Sequence, residues 1–170
     1  MNRNKNIKRL TVAAMGAALV FIFTRFFQMP IVNGTGYIHP GDSMIYLFTT
    51  LLPMPYGIFV GAIGASLADI TSGWAVYAPF TIIIKALMAV WFTSRKNVFS
   101  VRNISALIIA TIVLVAGYFL AEVFIYGKEL AAPNAIFTLI QGLVNATLFI
   151  TLSIILSKVK AYNTLKEELM

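Results

Sequence analysis

The sequence contains no cysteine, only six acidic residues and a single histidine among 170 residues. Without cysteine, disulfides and thiolate metal sites are excluded. Charged side chains make up 11% of the chain and hydrophobic residues 59%, with a mean hydropathy of +0.86. Ordinary soluble domains carry about 25% charged residues. A soluble domain of this size could not bury so much apolar surface, so the composition predicts an integral membrane protein.

Sequence motifs typical of enzymes are also missing. There is no glycine-rich phosphate loop, so this chain is not expected to hydrolyse ATP itself. No Ser, His and Asp set is recognisable, and His39 has no nucleophile close to it in the sequence. His39 and Asp42 are two potential metal ligands, but no third ligand accompanies them. We therefore expect no enzyme activity, no catalytic residue, no metal and no cofactor.

The basic residues, which give a net charge of +7, lie in three groups. One group precedes the first apolar stretch, one lies in a mid-chain loop and one follows the last apolar stretch. Their members are Arg3, Lys5, Lys8 and Arg9, then Arg95, Lys96 and Arg102, then Lys158, Lys160 and Lys166. These are the places where an even-numbered bundle returns to the cytoplasm. A nucleic-acid-binding patch would be clustered without regard to apolar runs. The pattern predicts cytoplasmic N- and C-termini and no nucleic-acid partner.

Hydropathy predicts one all-α transmembrane domain over 1–170, a bundle of six helices. The approximate spans are 7–27, 42–52, 56–71, 79–93, 104–126 and 133–157. The first is too long for a signal peptide and ends in no cleavage pattern, so we expect it to be retained. The second and third are shorter than the ~20 residues of a perpendicular crossing. We expect Pro133 to open the last span after an outer loop at 127–132, and the tail after Tyr162 to be a short solvated helix end.

Polar residues at membrane depth are costly and are therefore candidates for function. They fall in the outer half of the predicted spans: Arg25, Asp69, Lys85, Glu122, Gln141 and Asn145. The inner half has almost none, whereas a channel would need polar groups through its full depth. This asymmetry predicts a pocket that opens only to the outside.

Purely structural roles remain open for several of these charges. Lys85 could form an ion pair with Glu122 or Asp69 that serves only to stabilise the bundle. Arg25 could extend to the outer headgroups. Asp42 directly follows Gly41 and is a good N-cap for the second span.

Aromatic residues also concentrate near the outer loops and span ends: Tyr37, Trp74, Tyr77 and Tyr126, with His39 among them. Interfacial aromatic belts are one explanation, since they occur at both faces of a membrane. Rings beside a few convergent hydrogen-bonding groups also suit a small, flat heteroaromatic ligand.

Small residues mark two spans. In the first span, Ala13, Ala14, Ala17 and Ala18 form small-xxx-small pairs, which let another helix approach closely. Because they lie near the cytoplasmic end, we predict that a partner membrane subunit contacts them. The third span carries a second set, for which we favour packing within the bundle: Gly57, Gly61, Gly64, Ala65 and Ala68.

Residues 36–89 contain three motifs in order: G-Y-I-H-x-G-D at the start of the second span, A-D-x-x-S-G at the end of the third, and A-P-F-T-x-x-I-K at the start of the fourth. In these motifs and in its six-span layout, the chain resembles the substrate-binding S components of energy-coupling factor (ECF) vitamin transporters. The motifs are similar to the branch that includes riboflavin-, pyridoxine- and hydroxymethylpyrimidine-type subunits.

The resemblance implies a subunit of the plasma membrane that captures a small water-soluble vitamin with high affinity at its outer face. It would then dock onto a membrane coupling subunit and, through it, two ATPases. By position, the resemblance implies a binding pocket lined by Tyr37, His39, Trp74, Tyr77 and Lys85. From their depth in the last two spans, we add Glu122, Tyr126, Asn134, Gln141 and Asn145. We favour pyridoxine or hydroxymethylpyrimidine as the ligand, with riboflavin as the alternative. Alternatives of another class are a stand-alone carrier or channel and a membrane-embedded enzyme.

Overall fold

The computed structural model describes residues 3–31, 36–95 and 97–170. Over these residues the regular secondary structure is helical apart from one short strand pair. The helices are α1 (Arg3–Arg25), α2 (Gly41–Leu51), α3 (Met54–Thr71), α4 (Ala78–Ala89), α5 (Val101–Tyr126), α6 (Lys128–Ser157) and α7 (Lys160–Leu169), with a 3-10 turn at Ala75–Tyr77 before α4. Strands β1 (Met29–Pro30) and β2 (Tyr37–Ile38) are antiparallel, with Met29 opposite Ile38.

The predicted helical architecture is confirmed, and several of the helices are suited to a membrane. Among the described residues, α1, α3, α5 and α6 are long and apolar enough to cross a membrane. Helices α2 and α4 have 11 and 12 residues, which is short for a perpendicular crossing. The count of six spans and the cytoplasmic position of both ends therefore stay predictions.

Helix α2 lies in the interior of the bundle, and all of its residues are buried. It contacts α1, α3, α4 and α6, so neighbouring helices surround it. Its first turn brings Asp42 and Ser43 into the interior. The helix ends at Leu51, because Pro53 restricts the residue before it to an extended conformation.

The small residues of α3 serve packing within the bundle, as the packing interpretation predicted. A Cβ on Gly64 would lie 2.6 Å from the backbone oxygen of Ala17 in α1, closer than real contacts allow. A Cβ on Gly57 would lie 2.8 Å from the side chain of Thr49 in α2. Close approach of α1 and α2 to α3 therefore requires glycine at these two positions.

The boundary between α5 and α6 differs from the prediction. Only Gly127 separates the two helices, so the expected outer loop at 127–132 is not present and Pro133 lies inside α6. Gly127 adopts φ 90°, which glycine tolerates without steric cost, and this allows the chain to turn there. Pro133 is the sixth residue of α6, so its missing N–H removes one backbone hydrogen bond in the second turn of the helix.

The C-terminal segment also differs from the expected solvated tail. Helix α7 buries Tyr162 and Leu169 against the bundle. Arg9 of α1 donates from Nε to the backbone oxygen of Leu169 at 2.7 Å, and Lys8 forms an ion pair with Glu168. Two basic residues of the N-terminal segment therefore hold α7 in place, in addition to the buried apolar contacts.

Candidate ligand-binding site

An ion pair lies at the centre of the polar residues. The Nζ of Lys85 in α4 is 2.7 Å from Oδ1 of Asp42 in α2, and neither side chain is exposed. Oδ2 of Asp42 accepts a hydrogen bond from Nε2 of Gln141 at 2.8 Å. Asp42 therefore does not cap its helix: Pro40 is at the N-cap position, and no side chain caps there. The suggestion that Lys85 pairs with Glu122 or Asp69 is also wrong, because its ion-pair partner is Asp42.

His39 lies beside this pair in the connection to α2. Its Nδ1 accepts a hydrogen bond from the backbone N–H of Gly41 at 3.1 Å and is 3.3 Å from Oγ1 of Thr24. Its Nε2 is 3.4 Å from Nε2 of Gln141. Since a backbone N–H can only donate, Nδ1 carries no proton. Burial lowers the pKa of His39 to about 4, so the ring is neutral at physiological pH.

Asn145 connects the same segment to α6. Its Nδ2 donates to the backbone oxygen of His39 at 2.8 Å, and its Oδ1 accepts from the backbone N–H of Ser43, also at 2.8 Å. The side chain is fully buried. Asn145 therefore positions the start of α2 relative to α6, one turn from Gln141 on the same helix face.

Asp69 is held by hydroxyl groups. Its Oδ1 accepts from the Tyr37 hydroxyl and its Oδ2 from Oγ1 of Thr81, both at 2.5 Å. Oγ1 of Thr81 is also 3.0 Å from the hydroxyl of Tyr118. Burial and the nearby Asp69 carboxylate raise the pKa of Tyr37 above its ordinary value, so Tyr37 is the proton donor in this contact.

Glu122 of α5 forms a second acidic group. It accepts hydrogen bonds from the side chains of Asn134 and Tyr77. The ring of Tyr77 lies 6.0 Å from that of Trp74 and 6.2 Å from that of Tyr126. Tyr77 therefore connects Glu122 to a group of three aromatic rings.

These groups converge on an enclosed space that we call the polar cavity. Its volume is about 40 Å³, and it is lined by Ile31, Gly36, Tyr37, His39, Asp69, Tyr77, Tyr118, Glu122, Thr138 and Gln141. A water molecule needs roughly 10–15 Å³ of such volume, so the space holds about three. Drug-sized ligands occupy about 300 Å³ or more. A bound ring therefore requires the lining side chains to move apart.

The predicted site residues divide into two sets. Tyr37, His39, Tyr77, Glu122 and Gln141 line the polar cavity. The other five are not part of the lining: Trp74, Lys85, Tyr126, Asn134 and Asn145. Lys85 lies behind the ring of Tyr118, with its Nζ 5.1 Å from the ring centroid.

Sequence reasoning missed five lining residues: Ile31, Gly36, Asp69, Tyr118 and Thr138. Helical spacing could have found two of them, because Tyr118 precedes Glu122 by four residues and Thr138 precedes Gln141 by three. Asp69 was recognised as a charge at membrane depth and as a possible partner of Lys85, but it was not assigned to the pocket.

A second feature is the α1–α3 groove, an open apolar space of about 870 Å³. It is lined by Leu10, Ala13, Ala14, Ala17, Ala18 and Phe21 of α1 and by Tyr56, Phe59, Val60, Ile63, Leu67 and Thr71 of α3. Ala14 and Ala18 are exposed, whereas Ala13 is buried and Ala17 is partly buried against α3. Of the two predicted alanine pairs, the 14/18 pair therefore presents its side chains to the surroundings.

Metal binding by His39 and Asp42 has no support in the geometry. Both carboxylate oxygens of Asp42 have partners, Lys85 and Gln141. Within 3–31, 36–95 and 97–170, no group of three or more His, Cys, Asp or Glu residues is placed to hold a metal ion.

The fold and cavity together describe a multi-pass helical membrane protein whose polar side chains converge on one enclosed space. The sequence matches the family model described as ECF-type riboflavin transporter, S component, over residues 4–161. The chain therefore belongs to this family of transporter S components and is not an enzyme.

Two relatives are similar over much of the chain. The thiamine precursor transporter HmpT of Lactococcus lactis subsp. cremoris (strain MG1363) is 29% identical over 161 residues, covering 94% of each chain. An uncharacterised protein in a gap 3′ region of Pyrococcus woesei is 32% identical over 111 residues, which is 64% of this chain and 74% of that protein. The similarity to HmpT extends over nearly the whole fold.

Proposed function

We propose that this protein is the vitamin-capturing subunit of an ECF transporter of the plasma membrane, and that it binds a small heteroaromatic vitamin in the polar cavity. The observation that carries the proposal is the convergence of hydrogen-bonding groups and aromatic rings on one space, from the strand segments, the 3-10 turn and the helices α3, α5 and α6. Small-molecule sites typically combine aromatic surface with a few fixed polar groups, and this lining supplies both.

The favoured ligand is hydroxymethylpyrimidine, with pyridoxine next. The similarity to a thiamine precursor transporter supports the first, since hydroxymethylpyrimidine is such a precursor. The size of the cavity supports both, because one six-membered ring displaces fewer side chains than the three fused rings of riboflavin. Riboflavin remains the alternative because the family description names it.

Uptake itself requires a partner, because this chain has no phosphate-binding loop. We assign docking of the membrane coupling subunit to the α1–α3 groove, whose exposed Ala14 and Ala18 let a partner helix approach closely. Two ATPases bound to that subunit would supply the energy. With both chain ends in the cytoplasm, as the basic residues indicate, the polar cavity faces outside.

Ligand identity is tested by mass spectrometry of small molecules retained by the purified protein, followed by calorimetric titration of the ligand-free protein. We expect hydroxymethylpyrimidine to bind with nanomolar-range affinity and Gln141→Ala to weaken it at least tenfold. Thr147→Ala, an exposed change on the same helix, is the matched control and should bind as the parent does. Failure of hydroxymethylpyrimidine, pyridoxine and riboflavin all to bind would refute the proposal.

A stand-alone carrier predicts a different result in cells. Uptake by an ECF subunit should stop when the partner ATPases are deleted, whereas uptake by a carrier should continue. Persistent vitamin uptake in such a deletion strain would favour the carrier.

A further inference from the structure

Among the described residues, the lining of the polar cavity includes two carboxylates and no lysine or arginine. Asp69 is 5% exposed and Glu122 is 4% exposed, so both are shielded from solvent. The other lining residues are Ile, Gly, Tyr, Thr, Gln and the single histidine. Residues 32–35, which join Ile31 to Gly36 in the sequence, include no ionisable side chain.

The cationic side chains near the polar cavity contact other groups and do not line the cavity. Lys85 is fully buried and bound to Asp42, and it is absent from the cavity lining. The guanidinium of Arg25 lies 5.8 Å from the ring centroid of Phe26, also outside the lining. His39 is neutral because burial lowers the pKa of its ring to about 4. The described lining therefore offers no positive charge to an anionic ligand.

The two carboxylates are oriented as acceptors. Asp69 is fixed by Tyr37 and Thr81, one hydroxyl on each oxygen. Glu122 is fixed by Tyr77 and Asn134. Each carboxylate oxygen has two acceptor sites, so capacity remains for N–H or O–H groups of a ligand. Hydrogen bonds to an ionised acceptor are roughly twice as strong as neutral ones.

We propose that Asp69 and Glu122 make the polar cavity selective for the phosphate-free form of its vitamin, an uncharged or cationic ring that carries N–H or O–H donors. The inference rests on the proposed function and deepens it. A phosphate group brought near two shielded carboxylates meets like-charge repulsion that water screens poorly. An aminopyrimidine with a hydroxymethyl group instead supplies N–H and O–H donors to these acceptors.

The test compares three matched pairs on the purified full-length protein by calorimetric titration: hydroxymethylpyrimidine, pyridoxine and riboflavin, each beside its phosphate monoester. For whichever vitamin binds, we expect the phosphate ester to bind at least 100-fold more weakly. Glu122→Gln and Asp69→Asn keep side-chain size but remove charge, and each should reduce that ratio at least tenfold. Glu129→Gln removes an exposed acid outside the cavity and should leave the ratio unchanged.

The outcomes separate the inference from the function it rests on. A phosphate ester that binds within threefold of its free vitamin would overturn the inference alone. A ratio unchanged in both Glu122→Gln and Asp69→Asn would also overturn it, because size alone would then explain the discrimination. Thermal melting shows whether Glu122→Gln and Asp69→Asn are folded. One folded variant is enough to compare the affinities for a vitamin and its phosphate ester. Absence of binding by all six compounds would overturn the proposed function and, with it, this inference.

Discussion

Asp42 and Lys85 form an ion pair of 2.7 Å in which neither side chain is exposed. The pair joins the first turn of α2 to the middle of α4, and Gln141 extends it to α6. Its charges cancel, and both lie outside the lining of the polar cavity. The structure therefore assigns these two charges to holding three helices together around the cavity.

Breaking this pair on one side should destabilise the fold. Lys85→Met or Asp42→Asn leaves one buried charge without its partner, a change that typically costs about 3–5 kcal/mol. The double variant leaves neither charge and should be more stable than either single variant. Thermal melting of the purified protein measures this. Lys158→Met, at an exposed position, is the control for the Lys→Met change. The prediction would be contradicted if the single variants had the same melting temperature as the parent protein.

Acidification from pH 7 to pH 5 should destabilise the protein through its only histidine. The pKa of His39 is about 4 in the folded protein, against about 6.5 in an unfolded chain. The unfolded state therefore binds more protons between these values, and stability falls as the pH drops from about 6.5 towards 4. At pH 5 the loss is about 2 kcal/mol.

The His39 contribution is isolated by comparing melting temperatures of the parent and His39→Gln at both pH values. The charges of Asp42 and Lys85 also influence the pKa of His39. Both residues are present in the two proteins, so the difference in pH dependence reports the titration of His39. An equal loss of stability on acidification in the two proteins would refute the assignment.

Filling the α1–α3 groove should uncouple ligand binding from transport. Ala14→Leu and Ala18→Leu add bulk to exposed positions of the groove, so a partner helix can no longer approach. We expect vitamin affinity to stay within threefold, while vitamin uptake and co-purification with the coupling subunit fall at least tenfold. Ala116→Leu places the same bulk on an exposed position of α5, away from the groove, and serves as the control. If the protein with both Ala14→Leu and Ala18→Leu kept full vitamin uptake, the docking surface would have to lie elsewhere.

Local spacing could predict part of the cavity. Gln141 and Asn145 are one turn apart, and both are buried on the face of α6 that meets α2. Tyr37 and His39 follow glycine in an ordered connection, and both line the cavity. Lys85 was placed in the pocket because a charge at membrane depth suggests function. Pairing with Asp42 is an equally physical reason for such a charge, and composition cannot distinguish the two.

The sequence by itself determined the class of protein: many apolar residues and few charges predict a helical membrane protein, and the motifs in 36–89 indicate its family. Only the tertiary structure decided which carboxylate pairs with Lys85 and which ones line the cavity. Asp42 and Lys85 are 43 residues apart, and Asp42 and Gln141 are 99 residues apart. Helical periodicity shows which residues share a face of one helix, but the packing of α2 among α1, α3, α4 and α6 determines which faces meet.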